Sequence, residues 1–518
     1  MKRLFSFFCL FITALFFTTV SCSKIPKVGE SNMETVTPVR TEEKLPIFRG
    51  FNLLNMFVRG TSDDKPFSER DFQTISEWGF NFVRIPMDYR LWVRGNNWND
   101  INEGIIERLD RAIEYGMKYN IHVCINFHRA PGYTVADPKE TADLWTQKEP
   151  QEAFARMWGY FAERYKNIPS EYLSFNLVNE PPNIDEAVYT SVMKKAVDAI
   201  RAKDPGRLII ADGREYGSRP SNMIRELGIM QAARGYYPNT VSHYKAEWIE
   251  GSANFPPPAW PYIPVPRYLY ALGKNDVPRS IYSIGHDFNE AYYLDVNVGI
   301  VSREARLIVK AGGRTIYDKL FVSGAGEGEW TTVVRNREWN IYQNIYDKDY
   351  RIEVPSGTRL LTLEVTDGDW MTVNDMKFTP VSINGNGKGF SFTPNSIDWG
   401  KEIPPVVIDS NGSLENTGTT SSAWLWDAAF KQWEDYIGNG GVIVGEWGAY
   451  NKTPHDIVLR WMEDNLINFK EHGLGWALWN FSGSFGVVNS GRADVQYENY
   501  NGYRVDRKML ELLQKYLD

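Results

Sequence analysis

From Phe48 onward, short apolar runs alternate with amphipathic stretches, and this alternation limits the accessible folds more than any other feature of the chain. A strand buried on both faces shows as a near-continuous apolar run, whereas a helix crossing back over a sheet shows apolar residues at i, i+3 and i+4. Eight such runs begin at Arg49, Phe80, His122, Leu173, Leu208, Thr240, Val442 and Gly475. A helix fits between most of them; Ile105 to Tyr119, for example, sets Ile106, Leu109, Ile113 and Met117 on one face. Eight βα repeats predict an α/β protein with a closed (β/α)8 barrel, a TIM barrel.

The spacing breaks once, between the sixth run at His243 and the seventh at Glu446, where a barrel connection needs only a few tens of residues. Phe255 to Pro261 carries four prolines and predicts a rigid, extended loop. Beyond it, Tyr292 to about Pro380 alternates apolar and polar residues with turn signals between the runs. This pattern predicts a β-sandwich-like module inserted between strands 6 and 7; the alternative is a lid of hairpins without a core of its own. The barrel then occupies residues 45–285 and 401–518, with the insert at 286–400.

At the N-terminus, Lys2 and Arg3 precede an apolar run, Leu4 to Val20, that is short for a membrane span and suited to an export signal. It ends in Val20-Ser21-Cys22-Ser23, which resembles a bacterial lipobox. Residues 1–22 are therefore expected to be a lipoprotein-type signal with Cys22 lipidated, and residues 23–44 a flexible tether. Ordinary cleavage nearby, or an uncleaved anchor, are the alternatives. The lipid would be the only membrane contact, placing the protein at the cell envelope or surface. Of three cysteines only Cys124 is left over, so a disulfide framework is excluded and Cys124 reads as a small core residue. A balance of 57 basic against 65 acidic residues offers no footprint for nucleic acid. The chain also carries 18 Trp and 28 Tyr, whose flat faces suit sugars and equally suit a large barrel core.

Two carboxylates stand where catalysis in a barrel takes place. The fourth run ends in Asn176-Leu-Val-Asn179-Glu180-Pro, setting an amide and a carboxyl where a strand opens into the catalytic face. The seventh ends in Val442-Ile-Val-Gly-Glu446-Trp, at the same level. Either residue alone fits a simple strand end. Together, two glutamates at the tops of strands four and seven can converge across the mouth, and a separation of roughly 5 Å suits double displacement at a glycosidic bond. Such chemistry needs no metal or cofactor, and no metal-ligand spacing is present.

At these residues the chain resembles glycoside hydrolase family 5, the retaining cellulase-type family, over roughly Phe48 to His243 and Trp424 to Asp518. The resemblance implies Glu180 as acid/base, Glu446 as nucleophile, and Arg84 in Val83-Arg-Ile-Pro as the arginine that keeps the nucleophile ionised. It further implies His128 after strand three, Asn179 beside the acid/base, and His243-Tyr244 as the strand-six His-x-Tyr region. In many relatives that tyrosine lies two residues after the histidine, where this chain has Lys245. Trp479 corresponds to the strand-eight stacking floor; Trp476, three residues earlier, points to the opposite face and belongs to packing. Trp92, Tyr133, Trp145, Trp248 and Trp260 are further stacking candidates near the mouth, as are Trp330, Tyr342 and Trp370 on the insert. The implied partner is a β-linked glycan, foremost a β-glucan cut internally; mannan, xyloglucan and exo action are alternatives within the family. A surface glycan-binding lipoprotein without turnover is the alternative of another class, and the presence of both glutamates and the arginine speaks against it.

Overall fold

The computed structural model describes residues 47–517 except 96, 256, 262–264, 272–279, 383–387, 398, 401–402, 404–405, 409–413, 416–421 and 439–440. The signal, the tether and Cys22 lie outside the described residues. The remainder falls in one unit, Glu42–Asp518.

Eight parallel strands form the barrel: β1 (Arg49–Asn52), β2 (Phe82–Asp88), β3 (His122–Ala130), β4 (Leu173–Asn176), β5 (Leu208–Asp212), β6 (Met230–Gly235), β7 (Val442–Trp447) and β8 (Gly475–Leu478). Each pairs with the next, and β8 pairs with β1, which closes the sheet. Closure removes both edges, so every strand is buried on two faces and carries the apolar runs seen in the sequence. The helix α1 (Glu103–Lys118) turns Ile106, Leu109, Ala112 and Ile113 to the barrel. Met117, expected on that face, is 39% exposed, and Gly116 takes the inward place. A Cβ at Gly116 would lie 2.5 Å from Val123 Cγ2, so the helix seats against β3 because no side chain intervenes.

One expectation is corrected in the barrel. The sixth strand is Met230–Gly235, not the run from Thr240; Asn239–Ser242 is a single helical turn capped by His243. The run Met230-Gln-Ala-Ala-Arg-Gly is poor in large apolar residues because its Ala232 faces the narrow barrel floor.

Alternation inside the barrel builds two layers. Phe82, Cys124, Ile210, Ala232, Ile443 and Ala477 form an apolar floor. Burial pushes the Cys124 thiol up to about 11, consistent with an inert packing residue. Two residues further along β2, β3, β5 and β6, the side chains on the same face are Arg84, Asn126, Asp212 and Arg234, all buried. The step from floor to polar layer is one period of the strand.

Between β6 and β7 the described residues form a second, mainly antiparallel sheet of ten strands. Its two long strands, Tyr292–Ala311 and Thr358–Pro380, pair along most of their length. Their inward residues, among them Leu294, Val296, Leu363 and Val373, belong to a core separate from that of the barrel. These strands are hydrogen-bonded into one continuous sheet with several bulges. The sheet also reaches past 286–400: Tyr268–Tyr270, Ile281–Phe288, Val406–Ile408 and Leu414–Glu415 pair into it.

The floor layer generates a stability prediction. Phe82→Ala, which empties a site 1% exposed in the native barrel, is expected to cost about 3–5 kcal/mol. Equilibrium denaturation followed by tryptophan fluorescence measures it, and a loss under about 1 kcal/mol would show that the floor is not closely packed.

Candidate active site

Arg84 stands on β2 at 1% exposure, and each of its bonds ends on a group that another element supplies. Its Nη1 donates to Glu446 Oε1 at 2.6 Å and to Asn52 Oδ1 at 3.0 Å. Nε donates to Asn176 Oδ1 at 2.9 Å, and Nη2 to Asn179 Oδ1 at 2.9 Å. A planar guanidinium can satisfy four such acceptors at once; a lysine cannot.

Glu446 is aimed by a bulge. The ladder of β7 slips between Val444 and Glu446 against β6, and between Val444 and Trp447 against β8. A bulge re-aims the side chain that follows it. Glu446, 3% exposed, meets Arg84, accepts from Tyr236 Oη at 3.2 Å, and lies 3.4 Å from Arg234 Nη2.

Glu180 follows β4 in a left-handed conformation, φ 46°, which residues other than glycine adopt seldom. Two side chains hold it there. Its N–H donates to Asp212 Oδ2 at 2.8 Å, and its carbonyl accepts from Tyr133 Oη at 2.5 Å. The carboxyl accepts from Arg234 Nε at 2.9 Å and retains 18% exposure toward the mouth. Burial first, then the charge of Glu446, raises Glu180 to about 7, against the opposing pull of Arg234. The two carboxyls thus touch one guanidinium but sit in different settings, the kind of arrangement that separates an acid from a charged base.

Of the other anticipated residues, Asn179, His128 and Trp479 join this group. Asn179 Oδ1 accepts from both arginines, while Asn179 Nδ2 and His128 Nδ1 are buried and have no hydrogen-bond partner among the described residues. His128 is held well below the ordinary histidine value, by burial first and then by Arg84, Arg234 and Arg129, so it stays neutral. Trp479 is half-buried beside His128 and Phe57, with ring centroids at 5.7 and 5.3 Å. Trp476 is 1% exposed and packs on Trp447.

His243 and Tyr244 follow from the misplaced strand and are corrected with it. Tyr244 contacts the Lys245 ammonium, and the tyrosine on Glu446 is Tyr236. His243 sits behind Tyr236, ring to ring at 4.8 Å, and burial lowers it to about 4. The sequence Arg234-Gly235-Tyr236 at the end of β6 therefore fills the strand-six His-x-Tyr pattern, with arginine in place of histidine. Its tyrosine two residues on was the available signal, and so was Asp212 at the end of the fifth run.

Among the stacking candidates, Trp92, Trp145 and Trp260 are buried, at 0%, 9% and 3% exposure, and serve packing. Tyr133 serves through its hydroxyl. Trp248 is 56% exposed against Tyr450 and near His243, so it alone of the five offers a broad free ring. On the insert, Trp330 donates to the Gly326 carbonyl and Trp370 packs with Tyr268 and Trp399. Among the described residues no three His, Cys, Asp or Glu side chains gather as a metal-binding group.

The structure is a closed parallel barrel with two glutamates at the ends of β4 and β7, each held by an arginine. Residues 43–242 match the model of the cellulase family, glycosyl hydrolase family 5. Endoglucanase C of Acetivibrio thermocellus is 33% identical over 190 residues, covering 36% of this chain and 54% of that protein. Cellodextrinase A of Ruminococcus flavefaciens is 32% identical over 189 residues, covering 35% and 54%. The chain thus spans about half the length of these relatives. A crystal structure of a glycoside hydrolase superposes with a TM-score of 0.58 at 27% identity, covering 91% of this chain and 99% of that one. Thermotoga maritima Cel5A in complex with cellobiose shares the fold, with a TM-score of 0.50 at 17% identity over 90% of this chain and 96% of that one.

The placement of the two tyrosines can be tested with a chromogenic aryl β-glycoside. Tyr236→Phe removes a bond to a charged carboxylate, worth about 1.5–3 kcal/mol, and is expected to lower kcat/KM about tenfold or more. Tyr244→Phe is expected to leave it within twofold, roughly the resolution of such a comparison. The reverse order would restore Tyr244 to the nucleophile.

Proposed function

We propose that this protein is a retaining β-glucan hydrolase of cellulase type, acting within the chain, with Glu446 as nucleophile and Glu180 as acid/base. The observation that carries the reading is the pair itself: Glu446 takes donors from Arg84 and Tyr236, while Glu180 is raised to about 7 by burial and by Glu446. In the first step Glu446 forms a bond to the anomeric carbon as the glycosidic C–O bond breaks, and the Glu180 proton passes to the departing oxygen. In the second, water forms the new C–O bond, Glu446 leaves, and the water proton returns to Glu180. Asn179 Nδ2 and His128 Nδ1, both buried and without hydrogen-bond partners among the described residues, lie beside the site, and the half-buried ring of Trp479 next to His128 offers a stacking face for a sugar. The endoglucanase and cellodextrinase names of the relatives support a β-glucan as substrate.

The insert is assigned a carbohydrate-binding role. Where the strand Tyr292–Ala311 bulges, a cleft of about 630 Å³ is lined by Arg303, Asn340, Tyr342, Asp367 and Asp369. Trp339, beside Asn340, is 69% exposed. A free aromatic face next to forked donors and acceptors suits a neutral polyol. Trp339→Ala is expected to weaken retention on an insoluble glucan about tenfold, with hydrolysis of a small aryl cellobioside unchanged; unchanged retention would remove the role. The apolar run Leu4 to Val20 after Lys2 and Arg3, followed by Cys22, supports a lipid-anchored protein at the cell envelope, where polymeric glycans are met.

A panel of β-glucans, mannan, xyloglucan and aryl glycosides tests the main reading. Wild type is expected to give a ladder of glucan oligomers, with kcat/KM falling as pH rises through about 7, where free Glu180 loses its proton. Glu180→Ala and Glu446→Gln are expected to lose activity on the polymers by at least about a thousandfold. No turnover on any substrate, with glycan affinity retained, would make the protein a binder.

A further inference from the structure

Asp212 and Arg234 belong to no role assigned so far, yet both are buried in the polar layer and both touch Glu180. Strand alternation puts Asp212 two residues above Ile210 of the floor, at 0% exposure. A carboxylate so placed needs strong partners. It has three: Asn176 Nδ2 at 2.9 Å, the N–H of Glu180 at 2.8 Å, and the Arg234 guanidinium. Arg234 in turn donates to Glu180 Oε1 at 2.9 Å and Asn179 Oδ1 at 2.8 Å, and its Nη2 lies 3.4 Å from Glu446 Oε1. Room for this side chain is kept by glycines: a Cβ at Gly217, φ 79°, would fall 2.6 Å from Arg234 Cγ, and one at Gly445 would fall 3.1 Å from Nη1.

We infer that Asp212 and Arg234 form a buried brace that fixes the backbone and the carboxyl of Glu180 and sets the pH at which Glu180 changes from acid to base. The inference rests on the proposed hydrolase reading. Asp212 holds the left-handed N–H; Arg234 holds the carboxyl. Both are positioning residues.

Charge balance gives the brace its second task. Arg84 and Arg234 contribute two positive charges; Asp212 and Glu446 contribute two negative ones, so the site is neutral while Glu180 keeps its proton. When Glu446 becomes an ester its charge disappears, and Glu180, having given its proton to the leaving oxygen, supplies a negative charge in its place. Neutrality is preserved in both halves of the cycle. Without Arg234, ionised Glu180 would face Asp212 with no cation bonded to it. The groups facing Glu180 are Tyr133 beyond β3, Asp212 from β5, Arg234 from β6, Tyr236 just after it, and Glu446 from β7. Of these only Arg234 bonds the carboxyl directly.

The two variants carry opposite signs, which a merely structural defect does not produce. Removing the cation favours protonated Glu180, so Arg234→Gln moves the alkaline limb of kcat/KM upward by about one pH unit or more. Removing the anion favours ionised Glu180, so Asp212→Asn, which still accepts from the Glu180 N–H, moves the limb downward. Arg234→Lys keeps the limb near its wild-type position while kcat falls. The profiles are measured with 4-nitrophenyl β-cellobioside, with circular dichroism confirming the fold. Limbs that stay in place, or move the same way in both variants, overturn the brace whatever happens to kcat, and if only one variant folds, its sign decides. A wild type that hydrolyses no glycoside counts instead against the proposed function. The carboxyl titration of Glu180 by 13C NMR in the free protein then reads the same opposite shifts, and coincident midpoints overturn the brace.

Discussion

The buried guanidinium of Arg84 is the constraint around which the barrel mouth is organised. Removing a charge from water is expensive, and a buried ion is tolerated only where its partners are close and complete. Arg84 meets this condition by drawing acceptors from β1, β4, the turn after β4, and β7. Those same acceptors are thereby fixed against one another. Asn52 passes the restraint on, donating to the carbonyls of Gly445 and Leu478 and so tying β7 and β8 into the network. The position of Glu446 is in this sense a consequence of satisfying an arginine.

The two-layer interior explains why such a cluster survives in a barrel at all. The apolar floor excludes water from below, and the helices outside bury the reverse faces of the same strands. Charges in the layer above then interact through a medium of lower polarity, where an arginine or a neighbouring carboxylate shifts protonation strongly. Glu180 and Glu446 share one arginine yet differ in surroundings: one keeps an opening to the mouth and a raised affinity for its proton, the other is enclosed by two donors and the Arg234 guanidinium. Local backbone geometry contributes as much as charge. The bulge before Glu446 and the left-handed turn at Glu180 both break strand regularity, and both aim a carboxyl.

Much of this was legible in the sequence because strand ends carry their own marks. Asn179-Glu180 and Gly445-Glu446 close apolar runs, and Arg84 lies within one, so period and position sufficed. The sixth strand was not legible because its inward residues are small: Ala232 fits a floor already filled by Phe82 and Ile210, while Thr240-Val-Ser has the β-branched character that propensity favours and yet forms a helical turn. That slip moved the expected tyrosine from Tyr236 to Tyr244 and hid Arg234 altogether. Asp212 was visible at the end of Leu208-Ile-Ile-Ala but reads as an ordinary strand-end acid until its partners are known. The margins of the insert were obscured similarly, since Tyr268–Tyr270 is only three residues long and owes its strand conformation to pairing with Trp370 to Thr372.

Double displacement requires Glu446 to form a bond to the sugar. A 2-deoxy-2-fluoro-β-cellobioside with a good leaving group slows both steps by destabilising the positive charge that develops at the anomeric carbon, and the leaving group restores the first, so the intermediate accumulates. Digestion and mass spectrometry then locate the label. One fluorocellobiosyl unit on Glu446, absent in Glu446→Gln, is the predicted result; a label on another residue, or inhibition without any covalent adduct, would contradict the double-displacement mechanism proposed for this site.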